Sequence, residues 1–403
     1  MAILLSCTCL CGKSAQTVTA RSSSGDVGPI PISICHCNTC RHTSGVFFTS
    51  YCPIQPPAYD GEQLSSYTSS PGTTRYFCKT CGCHVFRARQ SSCTDEPLWE
   101  VATGTIVNEW RDDQDGDGPG RPVLEYTRHE HVADTVDGGL SGWLPAVSGR
   151  RMEGLSDVEP DVDPDLETET TDSSLDRTVE AACHCGSVTL RVRPPDHDLA
   201  ASQQPHSGFS DLLVPFAASD PALVANPGDV KWWLRPSRHS SSQDTPPTRY
   251  LAGTCACQSC RLATGFEIQT WAFVPRVNIL LSNGKPINFS STGCPGIEHL
   301  STYQSSPGVG RNFCSRCGAT VFWHDTWRPD LIDVSAGLFR SGSGSRLVSL
   351  LDWCTSRVSF AEEAARGRRL LSAQRGISFV ESLGTGMSSG MSSDMGVSVE
   401  GHA

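Results

Sequence analysis

Apolar and polar positions along this chain fall into short runs of strand character. KSAQTVTA after Gly12, the aromatic and β-branched GVFFTSYCPI from Gly45 and LWEVATGTIV from Leu98 each predict a strand. The same kinds of run return later as TLRVR, GFEIQTWAFVP and LIDVSAGLF, with Gly337 falling where Gly104 stands. HEHVADTVDGGLSGWL brings turn chemistry around Asp137-Gly138-Gly139, and a helix is expected at the end of LVSLLDWCTSRVSFAEEAARGRRLL. The pattern is that of a mainly β protein.

The recurrence is sharpest between Tyr67–Phe86, YTSSPGTTRYFCKTCGCHVF, and Tyr303–Phe322, YQSSPGVGRNFCSRCGATVF, where twelve of the twenty positions match. Two tandem copies of one unit follow. The insertions lie between fixed motifs: 26 residues separate Cys9 from Cys35, but 72 separate Cys183 from Cys255. The division read from this is a first unit over 1–146, a linker over 147–177, a second unit over 178–365 with an insertion near 194–248, and a Gly- and Ser-rich tail over 366–403 read as disordered. The insertion reads as a surface excursion whose Trp232-Trp233 pair is able to dock on the core.

Charge changes the picture little. The net charge of −11 is concentrated between Glu153 and Asp176, with ten acidic residues and no basic one, which reads as a disordered acidic linker. The units themselves are near balance, with no basic stripe to support nucleic-acid binding. No run is long enough for a membrane helix, and the start, MAILLSCTCLCG, lacks the basic opening of a secretory signal, so an intracellular, cytoplasmic protein with reduced thiols is expected. Asp113, Asp115 and Asp117 imitate a calcium loop, but Leu124 stands where its bidentate Glu is required.

Cysteine changes it most. Of twenty cysteines, fourteen fall in groups repeated in both units, in the order C-x-C-G, C-x-C-x-x-C, C-x-x-C-G. Seven thiols per unit divide naturally into a closed four-thiolate site from the outer groups and a three-thiolate site with one position free. These are Cys9, Cys11, Cys78 and Cys81 with Cys35, Cys37 and Cys40, then Cys183, Cys185, Cys314 and Cys317 with Cys255, Cys257 and Cys260. Soft thiolates select zinc, up to two ions per unit. Cys7 offers an alternative C-x-C register with Cys9. His36 is read as a solvent-facing residue between ligands, because its counterpart is Ala256. Arg75 and Arg311, three residues before the closing groups, are read as offsetting the charge of the four-thiolate site, contacting an anionic ligand, or lying on the surface.

On CLCG, CHCNTCR, YTSSPGTTRYFCKTCG and DGGLSGWL, and on CHCG, CACQSCR, YQSSPGVGRNFCSRCG and DVSAGLF, the chain resembles the glutathione-dependent formaldehyde-activating enzyme family, which includes the centromere protein V-type domains. The resemblance implies a small, mostly β fold of the Mss4-like type in each unit. It implies a structural zinc at each four-cysteine set and an open zinc at each triplet, where a glutathione sulfur meets formaldehyde to give S-hydroxymethylglutathione, a carbon–sulfur lyase reaction in reverse. A tandem arrangement with a long insertion departs from the compact single-domain enzyme. Two functions are therefore carried forward: a lyase using a small thiol and an aldehyde, and a non-enzymatic, zinc-stabilised binding or scaffolding protein whose insertions carry the interaction surface. The oligomeric state stays open.

Overall fold

The computed structural model describes residues 2–21, 28–58, 61–91, 96–111, 122–155, 178–195, 205–208, 225–236, 246–290 and 293–394. The acidic stretch from Asp157 to Asp176 and the Asp113–Asp117 loop lie outside these residues.

The first unit runs β1 (Ile3–Cys7), β2 (Gln16–Thr19), β3 (Ile30–Cys35), helix α1 (Asn38–Ser44), β4 (Thr49–Ile54), β5 (Leu64–Ser70), β6 (Thr73–Cys78), β7 (His84–Arg89), β8 (Leu98–Ala102), β9 (Ile106–Arg111), β10 (Leu124–Glu130), β11 (Ala146–Val147) and β12 (Arg150–Arg151). A small sheet orders β2-β1-β9, and a large one β10-β3-β4-β8-β7-β6-β5. The second unit runs β13 (Val179–Ala182), β14 (Thr189–Val192), β15 (Leu234–Arg235), β16 (Arg249–Cys255), α2 (Gln258–Thr264), β17 (Gln269–Pro275), β18 (Ile279–Leu280), β19 (Leu300–Ser306), β20 (Val309–Cys314), β21 (Thr320–Asp325), β22 (Leu331–Ser335), β23 (Phe339–Arg340) and β24 (Leu351–Trp353), followed by α3 (Leu370–Asp394). Its sheets order β18-β14-β13-β23 and β15-β16-β17-β22-β21-β20-β19, with β24 beside β16.

The repeat in sequence is thus a repeat in topology. Neighbouring strands are mostly antiparallel, and the exception recurs in both units: β10 runs parallel to β3, ending with Glu130 opposite Cys35, and β24 runs parallel to β16, with Ser359 reaching Cys255 beyond it. Apolar residues of both units join one buried cluster that includes Ile34, Phe48, Phe86, Ala272, Phe322 and Val334.

The units pack on each other reciprocally, as two copies about a twofold axis would. The Gly104 N–H donates to the Gly265 carbonyl, and the Gly337 N–H to that of Gly45, at 2.9 and 3.2 Å. A Cβ at Gly104 would sit 2.6 Å from the Phe266 backbone, and one at Gly337 2.5 Å from the Val46 carbonyl oxygen, so the matched glycines are required by close approach of the units. A second pair repeats the symmetry, with Leu10 N–H donating to Leu262 and His184 N–H to His42.

Two of the sequence expectations need correction. The tail is not disordered from residue 366: Leu370–Asp394 is helical, and Phe379, Val380, Leu383 and Met387 on it are buried. Composition misled because four apolar residues spaced for one helical face suffice when a waiting groove covers them, whatever lies on the other side. The groove belongs to the first unit, where Phe379 meets Phe48 and Tyr126 at ring distances of 5.8 and 5.0 Å. Likewise residues 147–154, assigned to the linker, begin with the β11–β12 hairpin and include buried Met152. The insertion's Trp232-Trp233 pair does dock, with Trp233 fully buried.

Candidate metal centres

The outer cysteine groups converge where the loop after β1 meets the β6–β7 turn, and where the loop after β13 meets the β20–β21 turn. Cys9, Cys11, Cys78 and Cys81 form one set and Cys183, Cys185, Cys314 and Cys317 the other, with all sulfurs of a set within 4.8 Å of one another. Gly82 and Gly318 close the turns with φ of 76° and 79°, where a side chain would be strained. Four sulfurs about 2.3 Å from a central ion stand about 3.8 Å apart. The Cys9–Cys11 and Cys11–Cys78 separations are 3.4 and 3.5 Å, and Cys183–Cys185 and Cys185–Cys314 are 3.5 and 3.6 Å, so donor type and spacing fit a closed tetrahedral thiolate site. Cys7 is no part of it. Its thiol donates to the Gln16 carbonyl, and burial pushes it up to about 12.

The middle groups form the two triplets. Cys35 ends β3, Cys37 caps α1 with its sulfur accepting the Cys40 N–H at 3.3 Å, and Cys40 lies in the first turn 3.5 Å from Cys35. Cys257 caps α2 in the same way, accepting from Cys260 N–H at 3.3 Å. A strand end followed by a sulfur N-cap gathers three thiols within six residues, which is why C-x-C-x-x-C suffices to build the site.

Arg75 and Arg311 belong to these triplets, not to the four-thiol sites and not to the surface. Both are buried, and the Arg75 guanidinium donates to Cys40 Sγ at 3.2 Å, Tyr51 Oη at 3.1 Å and Ser69 Oγ at 3.1 Å. Arg311 donates to Cys260 Sγ at 3.6 Å, Ser259 Oγ at 2.9 Å and Ser305 Oγ at 3.2 Å. Alternation explains the correction: on β6 and β20 the arginine lies three residues before the knuckle cysteine, so the two side chains leave opposite faces of the strand. His36 also departs from expectation. It is fully buried, its Nε2 2.9 Å from His129 Nδ1, and burial followed by the neighbouring His129 holds it well below its usual pKa.

A further group forms across 95 residues of sequence. Glu130 and His131, at the end of β10, come within 4.8 Å of Cys35. The HEH in HEHVADTV was visible, but its partner is set by the parallel pairing of β10 with β3, which no spacing encodes. His131 sits at φ 55°, and Phe360 in the second unit occupies the matching place at φ 56°.

Each triplet opens on a cleft. The first, about 380 Å³, is lined by Tyr51, Arg75, Arg87, Arg89, Glu100 and His131 among others, and the second is about 580 Å³. In the first, Arg87 and Arg89 both grip Glu100 through paired hydrogen bonds of 2.6 to 3.0 Å. Burial alone would raise the Glu100 carboxyl, but Arg87 and then Arg89 hold it below its ordinary value.

Residues 4–115 and 242–350 match the family model described as "Glutathione-dependent formaldehyde-activating enzyme". The first segment spans all seven cysteines of the repeated groups in its unit, while the second begins beyond Cys183 and Cys185. A protein of Schizosaccharomyces pombe (strain 972 / ATCC 24843), named as an uncharacterized lyase, is 38% identical over 58 residues, 14% of this chain and 42% of that protein. The chain thus spans less than half the length of this curated relative. No solved structure matches it. Among the described residues no helix is long and apolar enough to cross a membrane.

Proposed function

Because the chain belongs to the glutathione-dependent formaldehyde-activating enzyme family, we propose that it is a zinc-dependent carbon–sulfur lyase-type enzyme that forms or cleaves the adduct of an aldehyde with glutathione or another small thiol. In the forward direction the thiol sulfur bonds to the carbonyl carbon of formaldehyde, the carbon–oxygen double bond becomes single, and the thiol proton ends on that oxygen, giving S-hydroxymethylglutathione. The reverse direction breaks the same carbon–sulfur bond.

The observation that carries this reading is the contrast between the two kinds of thiol cluster. The triplets Cys35, Cys37, Cys40 and Cys255, Cys257, Cys260 line clefts and are faced by a buried arginine, whereas the four-cysteine sets line neither cleft. A zinc ion on three sulfurs supplies a Lewis acid with a position free to keep a substrate thiol anionic near neutral pH. Arg75 and Arg311 offset the charge that gathers at the sulfurs. In the first cleft Arg87 and Arg89 exceed the charge of Glu100 and suit the carboxylates of glutathione. Glu130 and His131 stand at the rim beside Cys35, where a proton moving between sulfur and carbonyl oxygen can be held. The four-cysteine sets act structurally. An intracellular, cytoplasmic setting that keeps thiols reduced suits the chemistry.

The test is metal analysis of the full chain joined to exchange NMR with ¹³C-formaldehyde and glutathione at equilibrium. About four zinc ions per chain, half of them readily removed by chelator, are expected, with faster exchange between free aldehyde and adduct in the loaded protein. Two tightly held ions and unchanged exchange would identify a zinc-stabilised binding protein instead.

A further inference from the structure

The strand registers place the walls of the two clefts in one-to-one correspondence, and the residues at matched positions differ in kind. Tyr51 opposite Ala102 becomes Trp271 opposite Ser335, and Pro53 opposite Glu100 becomes Phe273 opposite Asp333. Across from the triplet arginines, Arg87 becomes Trp323, and two pairs further along, on the same face, Thr73 with Arg89 becomes Val309 with Asp325. At the rim, His131 becomes Phe360 in the same backbone conformation. The insertion adds Trp232, packed edge-on against Phe273 at 5.2 Å. Polar walls have become aromatic, and the cleft has grown from about 380 to about 580 Å³.

Little unpaired positive charge is left over in the second cleft, where Arg366 at the rim pairs with Glu363 at 2.8 Å. Arg311 is committed to the triplet and its serines. Arg328 lies 4.8 Å over the Trp323 ring and pairs with Asp325 at 3.3 Å and with the Asp333 carboxyl at 2.8 Å, so it too is committed within the cleft. A ligand with carboxylates of its own would be desolvated there with little compensation, while a ring or alkyl chain would exchange water for the aromatic side chains of the walls.

We infer that the second cleft binds an apolar ligand of about aromatic-ring size beside its triplet, and so takes apolar thiols and their aldehyde adducts while the first cleft takes anionic ones. The apolar half of this assignment stands on the walls; the thiol half rests on the proposed adduct chemistry. The two units are then complementary sites of different specificity within one chain.

The zinc-loaded full chain carrying Cys37→Ser, which removes a sulfur of the first triplet, serves as the test protein, titrated by calorimetry and tryptophan fluorescence with benzyl mercaptan, benzyl alcohol and glutathione. Benzyl mercaptan is expected to bind at least about tenfold tighter than glutathione, with quenching of the cleft indoles. Trp323→Arg, importing the first cleft's residue, should lose about that factor. Phe360→His, at a rim position where the first unit already carries histidine, is the milder second variant and should shift preference in the same direction. Binding of benzyl mercaptan no tighter than glutathione, or unmoved by both variants, overturns the apolar assignment and leaves the adduct chemistry to its own test. Benzyl alcohol binding as tightly as the mercaptan supports the apolar cleft and counts against thiol chemistry at this triplet.

Discussion

Position 333 shows how a change on a neighbouring strand resets a buried group. Glu100 in the first unit is gripped by two arginines, but its counterpart Asp333 faces Trp323 where Arg87 would be and has Asp325 where Arg89 would be. Burial first, with Asp325 adding to it, pushes the Asp333 carboxyl up to about 7 despite Arg328. In the unfolded chain it titrates near 3.8, so between there and about 7 the folded protein holds a proton the unfolded one has released. Stability contributed at this site falls as pH rises through that window and levels off above it. Glu100 has the opposite sign, its contribution being present above its unfolded range and lost on acidification. Asp333→Asn should therefore gain on the parent protein, by denaturant midpoint, as pH rises from about 5 to about 8. A constant difference across that range would show that Asp333 stays charged in the fold.

Among the elements, the cysteine-bearing turns divide by what they join. Cys317 lies on the turn between β20 and β21 and shares its site with Cys183 and Cys185, which come from the loop after β13, so that site ties distant segments together. Cys257 caps a helix within one short stretch, and serine is a good cap itself. Cys317→Ser should unfold its unit, because a structural zinc contributes about 10 kcal/mol or more to folding, whereas Cys257→Ser should leave circular dichroism unchanged and remove adduct exchange at that unit. Equal loss of folding in both would erase the distinction between the sites. The strand elements were legible because their β-branched and aromatic runs are local. Helix α3 was not, since Gly and Ser outnumber its four buried apolar residues and its partner groove is built by the other unit.

In the whole molecule, the tail that follows the second unit is what ties it back to the first. Arg375 on α3 pairs with Glu109 of the first unit at 3.2 Å and with Glu267 of the second at 2.6 Å, and Tyr126 donates to Glu267 at 2.6 Å. Arg368 also pairs with Glu267, and both of these partners are almost wholly buried. Burial would raise the Glu267 carboxyl, but Arg368 and then Arg375 hold it well below its ordinary value. Phe379→Ala should cost about 3–5 kcal/mol, and because the helix is packed on one unit and anchored to the other, calorimetry should show both units losing stability together. A loss confined to one transition would mean that the units fold independently of this helix.

The sequence by itself determined the tandem repeat, the mainly β character and the grouping of fourteen cysteines into four-thiol and three-thiol sets, because strand propensity and metal-ligand spacing act over a few residues. It even marked Gly104 and Gly337 as equivalent. What only the tertiary structure decided was the company those motifs keep: Arg75 and Arg311 against the triplets, His36 in the core, Glu130 and His131 beside Cys35, aromatic walls around one cleft and charged walls around the other. These depend on which strands pair and in what register, and on how two copies face each other. Such long-range choices are set by the sum of burial over the whole chain and leave no mark at fixed spacing.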